Sequence, residues 1–508
     1  MVMILNFRKL NIPKSETVKL KIGDDGSSLK AITESKSYTL KDSLHSFNFD
    51  YEDGYFKEGL GFTKFKTPIS KDSDIEQIEP IKSENNVGVK SLCLYRQYST
   101  ILNCRTDKLA FFGDDNYMWY FKLLTQYPYY TKMNTLHLTE KPFVYNMKVC
   151  GSDSMIVSSK TDGTYLWGSD SAPILLANCP KLVDICEHKG RLYSILCGEQ
   201  NFIRYTSNYN VSEWTNNLTV QEGNIELNDS LGKINKLFSF AGYLIAIRDY
   251  GITRITTYDN SSKYTLNNIY ATGNKIYSMT AQICGDELIM LTKGGIVKFD
   301  GVSAKTIAVN YEKLLKNIDN KNARASFHAG KYYLACKTKT ESEDESINNS
   351  LIVYDIETGK TNFVFGIDIA DLISVQVDSL DKLVFCFNGT NDREIGELSN
   401  NGKFFNESSK KEIISPLLNL EFSNKKKHIE EFSILSKHDV KITIFTEKES
   451  RTYVVRGKDI LSTVKVRLNG KQVGFKIECE SENAYISDFE LKIKLFDNEN
   501  VVRLILLN

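Results

Sequence analysis

The stretch FAGYLIAIRDYGITRI, residues 240–255, decides the fold. A small-residue turn leads into the apolar run from Leu244 to Ile247. A second turn, Asp249 to Gly251, leads into Ile252, Arg254 and Ile255. Glycine and aspartate tolerate the positive φ that tight hairpins need, so the phrase reads as two antiparallel strands. Too short to bury a face alone, such a pair needs neighbours of its own kind.

Those neighbours lie on both sides. The first element recurs as RTDKLAFF (105–112), GSDSMIVSS (151–159), HKGRLYSIL (188–196), CGDELIML (284–291), HAGKYYLAC (328–336) and SLDKLVFCF (379–387). Its partners are DDNYMWYF (114–121), DGTYLWG (162–168), EQNFIRYT (199–206), KGGIVKFD (293–300), NSLIVYD (349–355) and REIGELS (393–399). With the opening phrase this makes seven pairs. Taking Asp107, Asp153, Gly190, Gly242, Gly285, Gly330 and Asp381 as markers, the repeat runs about 37 to 52 residues and averages roughly 46. Four-stranded propeller blades have that period. The copies diverge and carry no WD or Kelch signature, so six or eight blades also fit. A sandwich or solenoid with chance periodicity is the competing architecture.

The flanks differ. Residues 1–65 hold strand-like pieces such as ETVKLKIG, and 66–90 is polar, holds two prolines and reads as a linker. Residues 91–405 are assigned to the propeller. TKTESEDESINNS (338–350) reads as a solvated loop, and YEKLLKNIDN (311–320) is the best helix candidate. Residues 412–508 alternate strictly. Val440, Ile442 and Ile444 do so, as do Val464, Val466 and Leu468, and Phe489, Leu491, Ile493 and Leu495. Asn469–Gly470 is a two-residue hairpin signal that sets Val466 opposite Val473 and Val464 opposite Phe475. The fold class expected is therefore all-β: a propeller of about seven blades, a strand-rich N-terminal segment and a C-terminal antiparallel β-sandwich.

Composition narrows function. Across 508 residues, 64 Lys and Arg balance 64 Asp and Glu, so there is no basic surplus of the kind that holds nucleic acid. Lys425–Lys426–Lys427 reads as the solvated start of a strand. MVMILNFRKL is too short for a signal peptide, and no window is apolar for long enough to cross a membrane. The 10 cysteines form no CxxC pair and several sit in apolar runs, which points to free thiols in a reducing cytoplasm.

Signs of catalysis are weak. SSKTDGTYLWG (158–168) is like a sialidase Asp-box, but Asp162 and Gly163 are adjacent where the box needs one residue between them. Asp114–Asp115 reads as a turn, and KGG at 293–295 as a hairpin. The 6 histidines lack HxH or HExxH spacing, and no GxSxG, P-loop or GxGxxG is present. His188 and His328 precede blade-turn glycines and suggest a repeated structural position. The reading is no catalytic residue, no metal site and no cofactor. Trp119 and Trp167 are the candidates for stacking on a sugar.

Several phrases resemble phage propeller proteins. LKDSLHSFNFDYEDGYFKEGLGFTKF (40–65) looks like their N-terminal signature through Asn48, Asp50, Gly54 and Gly61. FIRYTSNYNVSEW (202–214) resembles a blade phrase through Tyr205, Ser207 and Trp214. LFSFAGYLIAIRDYGITRI (237–255) resembles a strand pair through Phe240, Gly242, Leu244, Gly251, Ile252 and Arg254. LIVYDIETGKTNFV (351–364) looks like a blade end through Tyr354 and Asp355, with Phe363 where tryptophan is usual. The family is the stabilization proteins of phages of Gram-positive hosts, distantly similar to the propeller-bearing nozzle proteins of short-tailed phages. The resemblance implies a non-enzymatic virion protein, assembled in the host cytoplasm and forming a ring at the head–tail neck or tail. Its partners would be copies of itself and other neck or tail proteins, with packaged DNA passing nearby but not read by sequence. The alternative is a receptor-binding adhesin for cell-wall glycans, and after it a glycan-cleaving enzyme.

Overall fold

The structure, a computed structural model, describes residues 15–496 apart from 24–25, 35, 42, 72–73, 83–85, 102, 126, 169–170, 207–210, 212–213, 215–222, 259–262, 340–344 and 378–379. The chain forms two compact units, residues 62–399 and residues 1–61 with 400–508. The boundaries therefore differ from those expected. Residues 1–65 are not a separate segment: strands at Ser15–Ile22 and Tyr55–Glu58 pair with Tyr485–Phe496. Nor is 66–90 a bare linker, because Thr67–Lys71 and Asp74–Ile78 pair as a hairpin.

The 62–399 unit is an all-β propeller of seven blades. Six are four-stranded antiparallel sheets built from strands in chain order, blade one carrying a separate two-stranded pair, Tyr98–Ser99 with Cys104–Arg105, between its first and second strands. The recurring pairs seen in the sequence are the second and third strands of each blade, as with Tyr243–Arg248 and Gly251–Thr257 in blade four. These two are buried on both faces by neighbouring blades, and so they carry the apolar signal. The outer strands do not: Tyr264–Ala271 is mostly exposed and gave no pattern to read.

In the hairpin that opens blade four, Ala241 and Gly242 have φ of 50° and 78°, two left-handed residues in succession. The same pair recurs at Cys150–Gly151, Lys189–Gly190 and Ala329–Gly330. This is the primed turn that matches the twist of a two-residue hairpin. Only its second position is glycine.

Blade seven is completed out of order. Its first three strands are Ile369–Val377, Leu380–Phe387 and Ile395–Ser399, and the fourth is Gly61–Lys64 from before blade one. Phe62, fully buried, sets its ring edge-on to Phe385 at 4.9 Å and Phe387 at 5.4 Å. Phe65 donates its N–H to the Ile395 carbonyl at 2.8 Å. A ring of blades has no natural stop, and this strand clasps the two ends of the ring together.

In the other unit two antiparallel sheets enclose a core that includes Val18, Phe56, Phe432, Ile442, Phe475 and Leu491. The expected Asn469–Gly470 hairpin is not formed. Leu461–Gly470 pairs with Lys426–Ser436 in one sheet, whereas Val473–Cys479 pairs with Lys411–Leu418 and Val440–Thr446 in the other. The chain crosses between sheets there, and Val464 and Phe475, expected side by side, lie in different sheets around one core. The turn is held by Glu447, whose carboxylate accepts the N–H groups of Lys471 and Gln472.

Two smaller expectations also change. The helix expected at 311–320 is a 3-10 turn at Val309–Tyr311 followed by one α-turn at Glu312–Leu315. Lys427 is buried, not solvated, and donates to the carbonyls of Phe422, Lys425 and Lys471. Part of the 338–350 loop lies outside the described residues. Its ends are anchored, since buried Thr338 bonds to Asn349 and Ser350.

Candidate functional site

The first strand of each blade pairs on one side only, with the second. Its other edge faces the centre, where seven such strands wall a cavity of about 890 Å3. The edge groups need hydrogen-bond partners, because an unpaired buried N–H or C=O costs about 1–3 kcal/mol. Polar side chains from the adjacent blade supply them.

Asp184 of blade three accepts the N–H of Leu237 on blade four at 2.6 Å. Lys236 of blade four donates to the Ala281 carbonyl of blade five at 2.9 Å. Gln282 of blade five reaches the Ala325 carbonyl of blade six at 2.7 Å. Asp371 of blade seven accepts from Leu92 of blade one at 3.2 Å, and Asn146 of blade two bonds the Leu94 carbonyl and the Arg96 N–H. A pattern thus recurs around the ring: a polar side chain from one inner strand satisfies the backbone of an adjoining blade. That blade is the following one for Asp184, Lys236, Gln282 and Asp371 and the preceding one for Asn146.

The two histidines belong to a second tier of the same kind. His188 ends the inner strand of blade three and its Nδ1 meets Ser239 of blade four at 2.8 Å. His328 ends that of blade six and meets Ser374 of blade seven at 3.0 Å. Burial lowers the pKa of both, which keeps the imidazoles neutral in a structural role.

The charges in the channel are strongly displaced. Burial pushes the Asp184 carboxyl up to about 7, opposed by the charge of Lys236. Burial lowers the Lys236 ammonium, with Asp184 acting the other way and Arg324 reinforcing the shift. Asp371 also takes Lys141 at 2.7 Å. Blade five departs from its neighbours. Tyr277 lies opposite Leu291 and Gln282 opposite Ile289, so residues 278–281 bulge against the single residue Met290. Ser278 and Met279 of that bulge line the cavity.

None of these channel residues was singled out from the sequence. The readable strands were the second and third, and an isolated Asp, Lys or Arg inside a first strand has no motif. The available signal was a polar residue four residues before the last of the strand, as at Asp184, Lys236 and Arg324.

The residues that carry the phage resemblance sit elsewhere and do not converge. Asn48 donates to the Lys410 carbonyl at 2.6 Å, Asp50 lies 3.9 Å from Lys57, and Gly54 (φ 89°) tips a hairpin. A Cβ on Gly61 would lie 2.4 Å from the Lys403 carbonyl oxygen. Tyr205 and Trp214 are buried, the indole donating to the Val211 carbonyl at 2.8 Å; Ser207 lies outside the described residues. Phe240, Leu244, Ile252 and Phe363 are core residues. Gly251 faces the Tyr270 carbonyl, and Arg254 lies over the Tyr243 ring at 4.7 Å. Tyr354 is buried, and Asp355 accepts the N–H of Thr358 to hold a turn. All the described ones hold positions of the fold.

Trp119 and Trp167 do not form a sugar platform. They are 6 % and 2 % exposed. Trp119 Nε1 donates to Asp115, and Trp167 packs on Tyr95 and Tyr120 beside the ammonium of Lys108. The alternation that suggested a platform buries these faces between blades. Asp162, of the Asp-box-like string, is taken up by Ser159, Thr161 and the N–H of Thr139. All ten cysteines are free and seven are buried.

Among the described residues, no three His, Cys, Asp or Glu side chains gather as a metal site would require. No described helix is long and apolar enough to cross a membrane. No family model and no curated protein matches the chain. Solved structures with a detectable likeness include Hsv2 of Kluyveromyces lactis, at 9 % identity and TM-score 0.34, covering 65 % of this chain and 94 % of that one. Another is apo AztD of Citrobacter koseri, at 12 % identity and TM-score 0.29, covering 69 % and 98 %. Likenesses this distant add nothing to what the coordinates say of the fold.

Proposed function

We propose that the chain is a non-enzymatic structural subunit of a bacteriophage virion, set in the neck or tail as one of several copies in a ring. The observation that carries this reading is the open end of the sandwich. Ser450–Val455 and Leu461–Gly470 are the last strands of their two sheets, and they lie against each other. Each presents a row of backbone groups with no partner strand among the described residues. Val454, Ile460 and Leu461 are 72 %, 60 % and 56 % exposed there. An unpaired edge with apolar side chains is a template for a further chain, and proteins that stay monomeric usually blunt such edges. In a ring, that contact would be heterologous and close by rotation.

The propeller then serves as a stiff module, its inner strands stapled blade to blade. The resemblance in sequence supplies the placement at neck or tail. Zero net charge suits a wall beside moving DNA, since each neutralised phosphate would add affinity and drag.

The test pairs native mass measurement of the purified protein with antibody labelling of virions. A closed ring at micromolar concentration, label at the neck or tail, and dissociation by the double change Val454→Glu and Leu461→Glu are expected. A monomer at every concentration, or label at fibre tips, would refute the proposal.

A further inference from the structure

Beyond assembly, the channel has two cations whose donors its own walls do not use up. Lys236 on blade four and Arg324 on blade six occupy the same place in their strands, four residues before the last. They flank the bulged blade five. An ammonium has three N–H donors and a guanidinium five. Lys236 gives one, to the Ala281 carbonyl. Arg324 gives one from Nη1 to the Ala323 carbonyl at 2.9 Å, and its Nε is buried with no partner.

Two of the acids that line the cavity, Asp371 and Asp184, hold backbone groups of the ring. Asp371 holds Lys141, the Leu92 N–H and the Leu372 N–H, and Asp184 holds the Leu237 N–H. Asp184 offsets part of the Lys236 charge without a hydrogen bond or ion pair to it, and both cations keep donors that the wall does not fill. The bulge at 278–281 sets Ser278 and Met279 into the wall they share. Bulges of this kind re-aim side chains and concentrate beside binding sites. The cavity, about 890 Å3, is in the range that encloses a small organic molecule.

We propose that the channel wall formed by blades four, five and six binds a small molecule through a carboxylate or phosphate group. Arg324 is the anchor, because its planar fork matches such an oxyanion through two parallel hydrogen bonds. Lys236 supplies the second charge, Ser278 a hydroxyl, and Met279 an apolar contact for the rest of the molecule. The ligand would cross-link three blades of the ring.

Titration calorimetry of the whole protein with inorganic phosphate and with citrate, against sodium chloride of equal ionic strength, tests this. Saturable binding of at least one anion is expected, with a rise in the melting midpoint of the propeller. Arg324→Gln should weaken it about tenfold or more, the usual effect of losing a charge-assisted hydrogen bond. Lys236→Gln should weaken it less, and Lys305→Gln, which changes an exposed lysine that does not line the cavity, should leave it unchanged. Failure of both anions to bind the unaltered protein saturably would overturn the proposal, whatever the variants do. So would binding that Arg324→Gln or Arg324→Lys leaves intact. Ring assembly is read separately, by native mass, so either proposal can fail without the other.

Discussion

Lys411 is fully buried and its ammonium lies 3.0 Å from Glu58 Oε1. It also donates to the carbonyls of Ser409 and Ser481, each at 3.1 Å, while Glu58 Oε2 accepts the N–H of Ala484 at 2.9 Å. The pair ties the N-terminal strands of the sandwich unit to its C-terminal ones. At 3.0 Å and an effective dielectric constant near 20, the attraction is about 5.5 kcal/mol. Desolvation costs several kcal/mol per ion, so the net worth of the pair is small while the cost of halving it is large. Lys411→Met should destabilise the unit by about 3–5 kcal/mol, because it leaves a buried carboxylate. Glu58→Gln should cost less, since two carbonyls still receive the ammonium. The double variant should cost well under the sum, with a coupling energy of about 2–3 kcal/mol. All three tryptophans, Trp119, Trp167 and Trp214, lie in the propeller unit, so their emission reports that unit. The sandwich is best followed by hydrogen exchange of peptides around Glu58 and Lys411 in rising urea. Additive single effects, with coupling under about 0.5 kcal/mol, would refute the argument that this is a desolvated pair.

Phe62→Ala removes the ring that clasps blade seven and should cost about 3–5 kcal/mol in urea unfolding followed by tryptophan emission; a loss under about 1 kcal/mol would mean the clasp is dispensable. Because burial raises the Asp184 carboxyl to about 7, against about 4 in the unfolded chain, the folded state keeps a proton the unfolded state has released between those values. Its stabilising contribution is thus complete at low pH and is lost as pH rises from about 4 to about 7. Asp184→Asn should flatten that slope in propeller melting midpoints measured across pH 4–8, and an unchanged slope would count against it. Gly242→Ala should cost only about 1–2 kcal/mol, since its positive φ is unfavourable but nothing lies within 4 Å of the new Cβ. Gly251→Ala should cost more in the same melts, because its Cβ would stand 2.5 Å from the Tyr270 carbonyl oxygen. Equal costs would put the strand packing at Gly251 in error.

Turn residues leading into continuous apolar runs made the repeating blades legible, and period-two patterning did so for the C-terminal strands, where burial of one face writes itself into alternate side chains. The pairs such as Tyr243–Arg248 with Gly251–Thr257 could be read because both of their faces are covered. Alternation tells which face is buried but not which strand is the hydrogen-bonded neighbour. Val464 and Phe475 have the same pattern whether they sit side by side in one sheet or in two facing sheets, and only the tertiary structure chose the second. The clasp at Gly61–Lys64 was unreadable for the same reason: a four-residue strand has no local mark of a partner more than three hundred residues away. Channel residues such as Asp184, Lys236 and Arg324 acquire their roles from backbone groups on the next blade, and no local spacing encodes those contacts. Local sequence determined how each strand presents its sides; long-range closure of the ring and the sandwich decided what each side meets.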